Sequence, residues 1–359
     1  MSVDFLKKIE LEITSDCNAA CPGCLRTQRL GEYKIQSFTF KDLQSAFPKK
    51  EHITGKSFKF CGVLGDPAAN VECLDMVRYL ATNGGRCQLS TNGGIRTEEW
   101  WRELGKVGKE TQNVDVVFCI DGHAETNHIY RVNTKFSVIE RNVKAYMAGG
   151  EGIATGTWIF IVFDHNEYEL DTARQHAAEL GLKFATRTGM RNSYQDWLSQ
   201  ITKKQNGKIV KEEKIVTTTG AKEHSKVAQV QKLDKFIEDY SSNKEIDKNE
   251  KDAIIKSITC KYIHEGEIFI SADLKVWPCC FLWTEFIKNG DKIVDKLAIF
   301  SDTWNSLRYH TVEEILSHPW YTELLELSWD PKNSLHLTRC VRTCGMNKAY
   351  HNEIKIEGN

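Results

Sequence analysis

Three cysteines fall within eight residues near the start of the chain, in Cys17-Asn18-Ala19-Ala20-Cys21-Pro22-Gly23-Cys24. They follow the alternating apolar run Ile9-Glu10-Leu11-Glu12-Ile13, so the loop that carries them leaves a strand. Thiols at i, i+4 and i+7 on one loop can converge on one centre, yet three thiolates are one short of closing a four-coordinate site. Zinc is one reading. A structural zinc site closes with a fourth Cys or His at short spacing, and the next segment, Leu25-Arg26-Thr27-Gln28-Arg29, supplies none. A cubane iron-sulfur cluster suits the set better, because its fourth iron is then open to a small molecule. A second group, Cys260, Cys279, Cys340 and Cys344, has four thiols, enough to close either a cubane or a zinc site completely. Adjacent residues on a strand face apart, so Cys279 is expected as the ligand and its neighbour Cys280 as packing. Cys61, Cys73, Cys87 and Cys119 are scattered between the two groups and read as small buried apolar residues.

The elements that must position these thiols alternate along the first half of the chain. Phe40 to Phe47 reads as a short helix, Ser57 to Val63 as a strand, and Asn70 to Tyr79 as an Asn-capped helix. Strand Arg86 to Ser90 precedes a helix from Thr97 to Gly105. Strand Val114 to Ile120 precedes a helix from Ser137 to Ala148, ended by Gly149-Gly150. The β-rich run Ile153 to Phe163, a helix from Tyr168 to Leu180 and the strand Leu182 to Thr186 complete the series. Six β-then-α units imply an α/β fold with a parallel sheet curved into a full or partial barrel, whose loops at the C-terminal strand ends carry function. Strand alternation puts Val117, Cys119 and Asp121 on one face. From Ile201 to Lys251 there are twelve Lys against nine acidic residues, with no Arg and no Cys, which reads as a solvated insertion holding a surface helix from Lys222 to Tyr240. Beyond it, Glu267 to Ser271 and Leu274 to Trp277 form a hairpin delivering Cys279, and Val312 to Leu316 and Tyr321 to Leu327 are amphipathic helical stretches.

At 359 residues, with 41% hydrophobic and 27% charged, the composition is that of a soluble enzyme. No run approaches the roughly 18 apolar residues of a membrane span. The segment Met1 to Lys8 lacks the pattern of a signal peptide, so the expected location is the cytoplasm. Twelve cysteines in that reducing compartment call for metal rather than disulfides. A formal net charge of -1 argues against bulk binding of nucleic acid or membrane.

Cys-x3-Cys-x2-Cys after a first strand, heading a six-unit β/α chain, resembles the radical S-adenosylmethionine (radical SAM) superfamily. The resemblance implies a [4Fe-4S] cluster on Cys17, Cys21 and Cys24 whose open iron chelates S-adenosylmethionine. One-electron reduction then releases a 5′-deoxyadenosyl radical. The residue before the third cysteine is often aromatic in that family, and here it is Gly23. Gly65-Asp66-Pro67 falls at the place of the family's Gly-Gly-Glu motif, which binds the methionine amino group, with Val63-Leu64 replacing its usual first glycine. Ser90-Thr91-Asn92-Gly93 is similar to a segment whose polar side chains, here Ser90 and Asn92, reach the cofactor ribose. Asp121-Gly122-His123, continuing through His128 to Arg131, is similar to a stretch in which an Arg pairs with the cofactor carboxylate; the alternative is a turn with a surface His128. Asn166 and Arg187 are further candidates past the fifth and sixth strands.

Cys260, Cys279, Cys340 and Cys344 resemble the twitch subdomain, a shortened SPASM domain built on a β-hairpin and helix that carries one auxiliary [4Fe-4S] cluster. The implied organisation is a partial (β/α)6 TIM-like barrel over 1–200, a lysine-rich insertion over 201–255 and a twitch subdomain over 256–359. The implied activity is radical cleavage of S-adenosylmethionine and net oxidation of a small molecule, with the auxiliary cluster as electron acceptor and a flavodoxin or ferredoxin as donor. A peptide substrate is the alternative. A non-catalytic zinc or iron-sulfur scaffold is the alternative of another class.

Overall fold

A computed structural model describes residues 3–29, 33–163, 165–187, 235–236, 238–239, 247–287, 301–348 and 354–356. The chain divides into a larger compact unit, Leu11–Ala221 with Asn352–Asn359, and a smaller one, Met1–Glu10 with Lys222–His351. Most of the lysine-rich segment, with nearly all of the helix expected from Lys222 to Tyr240, lies outside the described residues.

In the larger unit Leu11, the last residue of β1 (Lys8–Leu11), accepts a hydrogen bond from the Cys61 N–H at 3.1 Å. There follow α1 (Leu25–Gln28), α2 (Phe40–Ala46), β2 (Ser57–Phe60), α3 (Cys73–Thr82), β3 (Arg86–Thr91), α4 (Glu98–Thr111) and β4 (Val114–Cys119). Then come α5 (Asn127–Tyr130), α6 (Phe136–Gly150), β5 (Thr155–Ile161), α7 (Leu170–Glu179) and β6 (Lys183–Arg187). Strands β2 to β6 pair in parallel in chain order, and the short strand Ile354–Ile356 adds antiparallel to β6. Parallel neighbours need a crossover, and a helix supplies it each time. The sheet is mostly parallel and does not close, the α/β class that the alternation predicts.

Residues paired across parallel strands share a face. Leu89, Val116, Phe118, Trp158, Phe160 and Phe184 are all buried on one face, where Trp101 of α4 and Tyr146 of α6 pack on Phe118 at 5.4 and 6.0 Å between ring centroids. Burying each such side chain contributes roughly 1.5–3 kcal/mol. The opposite face carries Ser90 opposite Val117, and Cys119 opposite Ile159. It is less covered: Ser90 and Cys119 are half-buried. Val117 and Cys119 thus share the face that alternation assigns them.

Helix boundaries differ from the pattern in two instructive places. The Gly149-Gly150 pair does not end α6, which runs through both and stops at Glu151 in the left-handed region (φ 47°). A Cβ on Gly105 would lie 2.1 Å from the Tyr146 carbonyl oxygen, and one on Gly149 would lie 2.1 Å from that of Arg102. These glycines therefore let α4 and α6 approach backbone to backbone, and α4 runs past Gly105 to Thr111. Asn70 does not cap α3, which starts at Cys73; its amide instead donates to the Ile13 and Phe38 carbonyls at 2.7 and 2.9 Å while its oxygen accepts from the Glu72 N–H. Satisfying three buried backbone groups wins over capping.

The smaller unit holds α8 (Lys248–Lys256), α9 (Lys261–Glu265), β7 (Glu267–Ile270), β8 (Val276–Trp277), α10 (Val312–Leu316), α11 (Leu325–Leu327) and α12 (Thr338–Lys348). Strands β7 and β8 form the expected antiparallel hairpin, with Leu274 left-handed in its turn (φ 66°). A π-helical turn, Trp320–Leu324, leads into α11 and buries Trp320 and Tyr321. The Tyr321 hydroxyl donates to the Val276 carbonyl at 3.0 Å, tying that turn to the hairpin.

Candidate functional site

The cysteine loop is anchored before it reaches its first thiol. Glu12, fully buried, accepts from the Val63 and Leu64 N–H groups at 2.7 Å each, which fixes the loop after β2 against the chain entering the cysteines. A Cβ on Gly65 would fall 1.8 Å from the Thr14 carbonyl oxygen, so only glycine permits this approach. Asp66 N–H donates to the Asp16 carbonyl (2.8 Å), and the Asp16 carboxylate accepts from the Cys17 N–H (2.8 Å). Arg26 of α1 reaches back to the Ala19 carbonyl at 3.2 Å and to Asp16 at 3.5 Å. Cys21 is buried in an apolar cluster with Ala19, Tyr130, Ile161 and Phe163, against which half-buried Cys17 and Cys24 pack.

Polar groups from three successive strand ends surround these thiols. Asp66, after β2, accepts from the Thr91 hydroxyl (2.9 Å), the Asn92 N–H (2.8 Å), the Asn92 amide (2.8 Å) and the Ala68 N–H (3.0 Å). Burial pushes its carboxyl up, and those donors oppose the shift. The Asn92 amide also lies 2.9 Å from the Asn18 oxygen and 3.6 Å from the Cys17 sulfur. After β4, the fully buried Asp121 accepts from Arg131 Nε and from the Ile161 N–H, both at 2.7 Å. Arg131 also donates to Cys21 Sγ at 3.8 Å and stacks on Tyr130 at 5.3 Å. Burial, then the Asp66 charge, pushes the Cys17 thiol up to about 12; burial pushes Cys21 up to about 11 against the pull of Arg131.

Cys17, Cys21, Cys24, Gly65, Asp66, Pro67, Asn92, Asp121 and Arg131 are therefore brought to one end of the larger unit. Ser90 sits on the less covered sheet face, one residue short of the Asp66 network, in which Thr91 takes part instead. Sequence reasoning missed the support from Asn127 and named Asn166 only as a candidate past the fifth strand. Asn127 accepts from the Asp121 N–H at 2.9 Å, and the Asn166 amide donates to the Asp121 carbonyl at 2.9 Å. The burial of Asn166 was not legible in its position past β5. His128 is exposed, and its Nδ1 lies 3.2 Å from the Ala124 carbonyl oxygen in the turn before α5.

In the smaller unit Cys260, Cys279, Cys340 and Cys344 line one cavity. Cys340 and Cys344 lie at i and i+4 on α12, hence on one face. Burial, then Cys279, Cys260 and Cys344, pushes the Cys340 thiol well up, and burial with its neighbours pushes Cys279 to about 12. Cys280 opens the helical stretch 280–287 and does not line the cavity. Among the described residues no three Cys, His, Asp or Glu side chains converge on a point that holds a single ion. A cubane binds each thiolate to a different iron, so its ligands surround a volume rather than a point. The donor chemistry fits such a group: both sets are all-thiol and buried or half-buried, and bound iron would offset the charge of their thiolates.

The fold is one seen before in solved structures. SuiB of Streptococcus suis bound to precursor peptide SuiA is similar with a TM-score of 0.51 at 12% identity, covering 96% of this chain and 71% of SuiB. SuiB bound to S-adenosylmethionine gives 0.50 at 12% identity, over 78% of this chain and 61% of SuiB. At this identity the likeness is one of fold. In sequence, the tungsten-containing aldehyde ferredoxin oxidoreductase cofactor-modifying protein of Pyrococcus furiosus is 32% identical over 117 residues, 32% of this chain and 30% of that protein's length. No family model matches the chain. Among the described residues no helix is long and apolar enough to cross a membrane.

Proposed function

We propose that the chain is a radical SAM enzyme, with a [4Fe-4S] cluster on Cys17, Cys21 and Cys24 and S-adenosylmethionine on the open iron. The observation that carries this reading is the meeting of three thiols, the Arg131 guanidinium and the Asp66-Asn92 network at the C-terminal edge of a parallel sheet. When bound, the cluster supplies the electron that cleaves S-adenosylmethionine to methionine and a 5′-deoxyadenosyl radical, which abstracts a substrate hydrogen. The chain binds and orients. Asp121 aims Arg131, whose remaining N–H groups take the cofactor carboxylate. Gly65, Asp66 and Pro67 shape the turn that receives its amino group, and Ser90 and Asn92 serve the ribose side. The apolar wall of Tyr130, Ile161 and Phe163 excludes water.

Cys260, Cys279, Cys340 and Cys344 hold the second [4Fe-4S] cluster in a twitch-like subdomain over 256–359, after a barrel over 1–200 and an insertion over 201–255. With all four positions filled, such a cluster would serve to take up an electron rather than to bind substrate, which would make the reaction a net oxidation of a small molecule. The likeness to SuiB in its peptide complex favours a peptide as the second reading. Electrons enter from a flavodoxin or ferredoxin.

Anaerobic reconstitution should load about eight irons per chain, and dithionite with S-adenosylmethionine should yield 5′-deoxyadenosine. Cys21→Ala should abolish that product. Protein that takes up only zinc, or loaded wild type that cleaves nothing, would overturn the enzymatic reading in favour of a scaffold.

A further inference from the structure

Among the described residues of the smaller unit, the buried atoms that make no hydrogen bond of good geometry include Trp329 Nε1, Arg339 Nε and Thr343 Oγ1. All three residues line the four-cysteine cavity. Buried donors are nearly always paired, so three such atoms around one cavity point to an acceptor that belongs there. Their placement is ordered. Arg339 and Thr343 each precede a cysteine on α12, so they form an i, i+4 stripe beside that of Cys340 and Cys344. The Trp329 indole N–H faces the Cys340 thiol across the same cavity, without a hydrogen bond of good geometry to it. Arg339 is held by stacking on Phe281 at 5.5 Å, with its far nitrogen 3.9 Å from Glu285. Lys261 also lines the cavity, but Glu267 holds its ammonium at 2.5 Å.

We propose that Trp329, Arg339 and Thr343 donate hydrogen bonds to the sulfurs of the cluster at Cys260, Cys279, Cys340 and Cys344 and so raise its reduction potential. The inference rests on the auxiliary-cluster reading above. Reduction adds negative charge to the sulfurs; N–H and O–H dipoles and a guanidinium aimed at them favour the reduced state. These residues poise the cluster to take up an electron.

The test uses full-length protein carrying Cys17→Ala, Cys21→Ala and Cys24→Ala, so that only the second cluster titrates. Iron content and a redox titration followed by electron paramagnetic resonance are read for this parent and with Trp329→Phe, Thr343→Val or Thr343→Ser added. Trp329→Phe and Thr343→Val should each shift the oxidised-to-reduced ratio about tenfold at fixed solution potential, a fall of about 59 mV for one electron. Thr343→Ser, which keeps the hydroxyl, should match the parent. A parent that binds no iron sinks the auxiliary-cluster reading and this inference together. About four irons with an unmoved potential in both substitutions sinks the donors alone. If one substitution prevents iron loading, the other decides.

Discussion

Arg131 serves two partners from one position. Its Nε holds the buried Asp121 carboxylate at 2.7 Å while another nitrogen approaches Cys21 Sγ. Removing one member of a buried pair leaves an uncompensated charge, at about 3–5 kcal/mol. Arg131→Leu should therefore destabilise the protein by that amount in urea unfolding, and adding Asp121→Asn should recover part of the loss. Additive losses in the double variant would show that the two residues are not a pair. Arg131→Lys keeps the charge but not the planar fork, so it should retain iron and bind S-adenosylmethionine at least tenfold more weakly, as read by equilibrium titration. The thiols, Asp121 and Arg131 were named from the sequence by their spacing, and the fold brings them together. Thr91, Asn18 and Asn127 were not. Each is an ordinary residue whose work is to satisfy a buried polar group brought near by the fold, and no local pattern records that.

Helices and strands announced themselves through periodicity, yet their ends did not. Gly149-Gly150 reads as a terminator, but in α6 the pair is a contact surface for α4. Alanine favours a helix over glycine by about 0.8–1.0 kcal/mol, which alone would make Gly149→Ala stabilising. A Cβ 2.1 Å from the Arg102 carbonyl oxygen reverses the sign. Gly149→Ala should destabilise by about 1–3 kcal/mol in chemical unfolding, and a neutral result would mean that α4 and α6 can separate at no cost. Helix α6 also meets α7 through Glu140, which pairs with Lys144 at 2.6 Å and His176 at 3.4 Å. The Lys144 hydrogen bond leads the causes that lower the Glu140 carboxyl. A depressed carboxylate stabilises the fold above its unfolded pKa and loses that contribution as pH falls through the folded one. The stability gap between wild type and Glu140→Gln should thus be positive but under about 1 kcal/mol near pH 7 and shrink toward zero as pH falls through the folded pKa. A gap that widens in acid would contradict the pairing.

Across the whole chain, the two cysteine sets sit in units built by different means. The larger unit is held by a parallel sheet whose aromatic face is covered by helices, and its three thiols occupy one loop. The smaller unit has a two-stranded hairpin, and its four thiols come from the start of α9, the segment after β8, and α12. A group bound to all four joins segments up to 84 residues apart, between Cys260 and Cys344. Binding to preformed ligands adds to folding free energy where the apo chain must order them itself. Removing iron should therefore loosen the smaller unit far more than the larger one. Hydrogen exchange on protein with and without reconstituted iron should show faster exchange in α9 and α12 after removal. The amides of β4 and β5, locked between parallel neighbours, should change little. Uniform protection in both states would mean that the four cysteines do not hold the smaller unit together, and the reading of them as one closed cluster would fall.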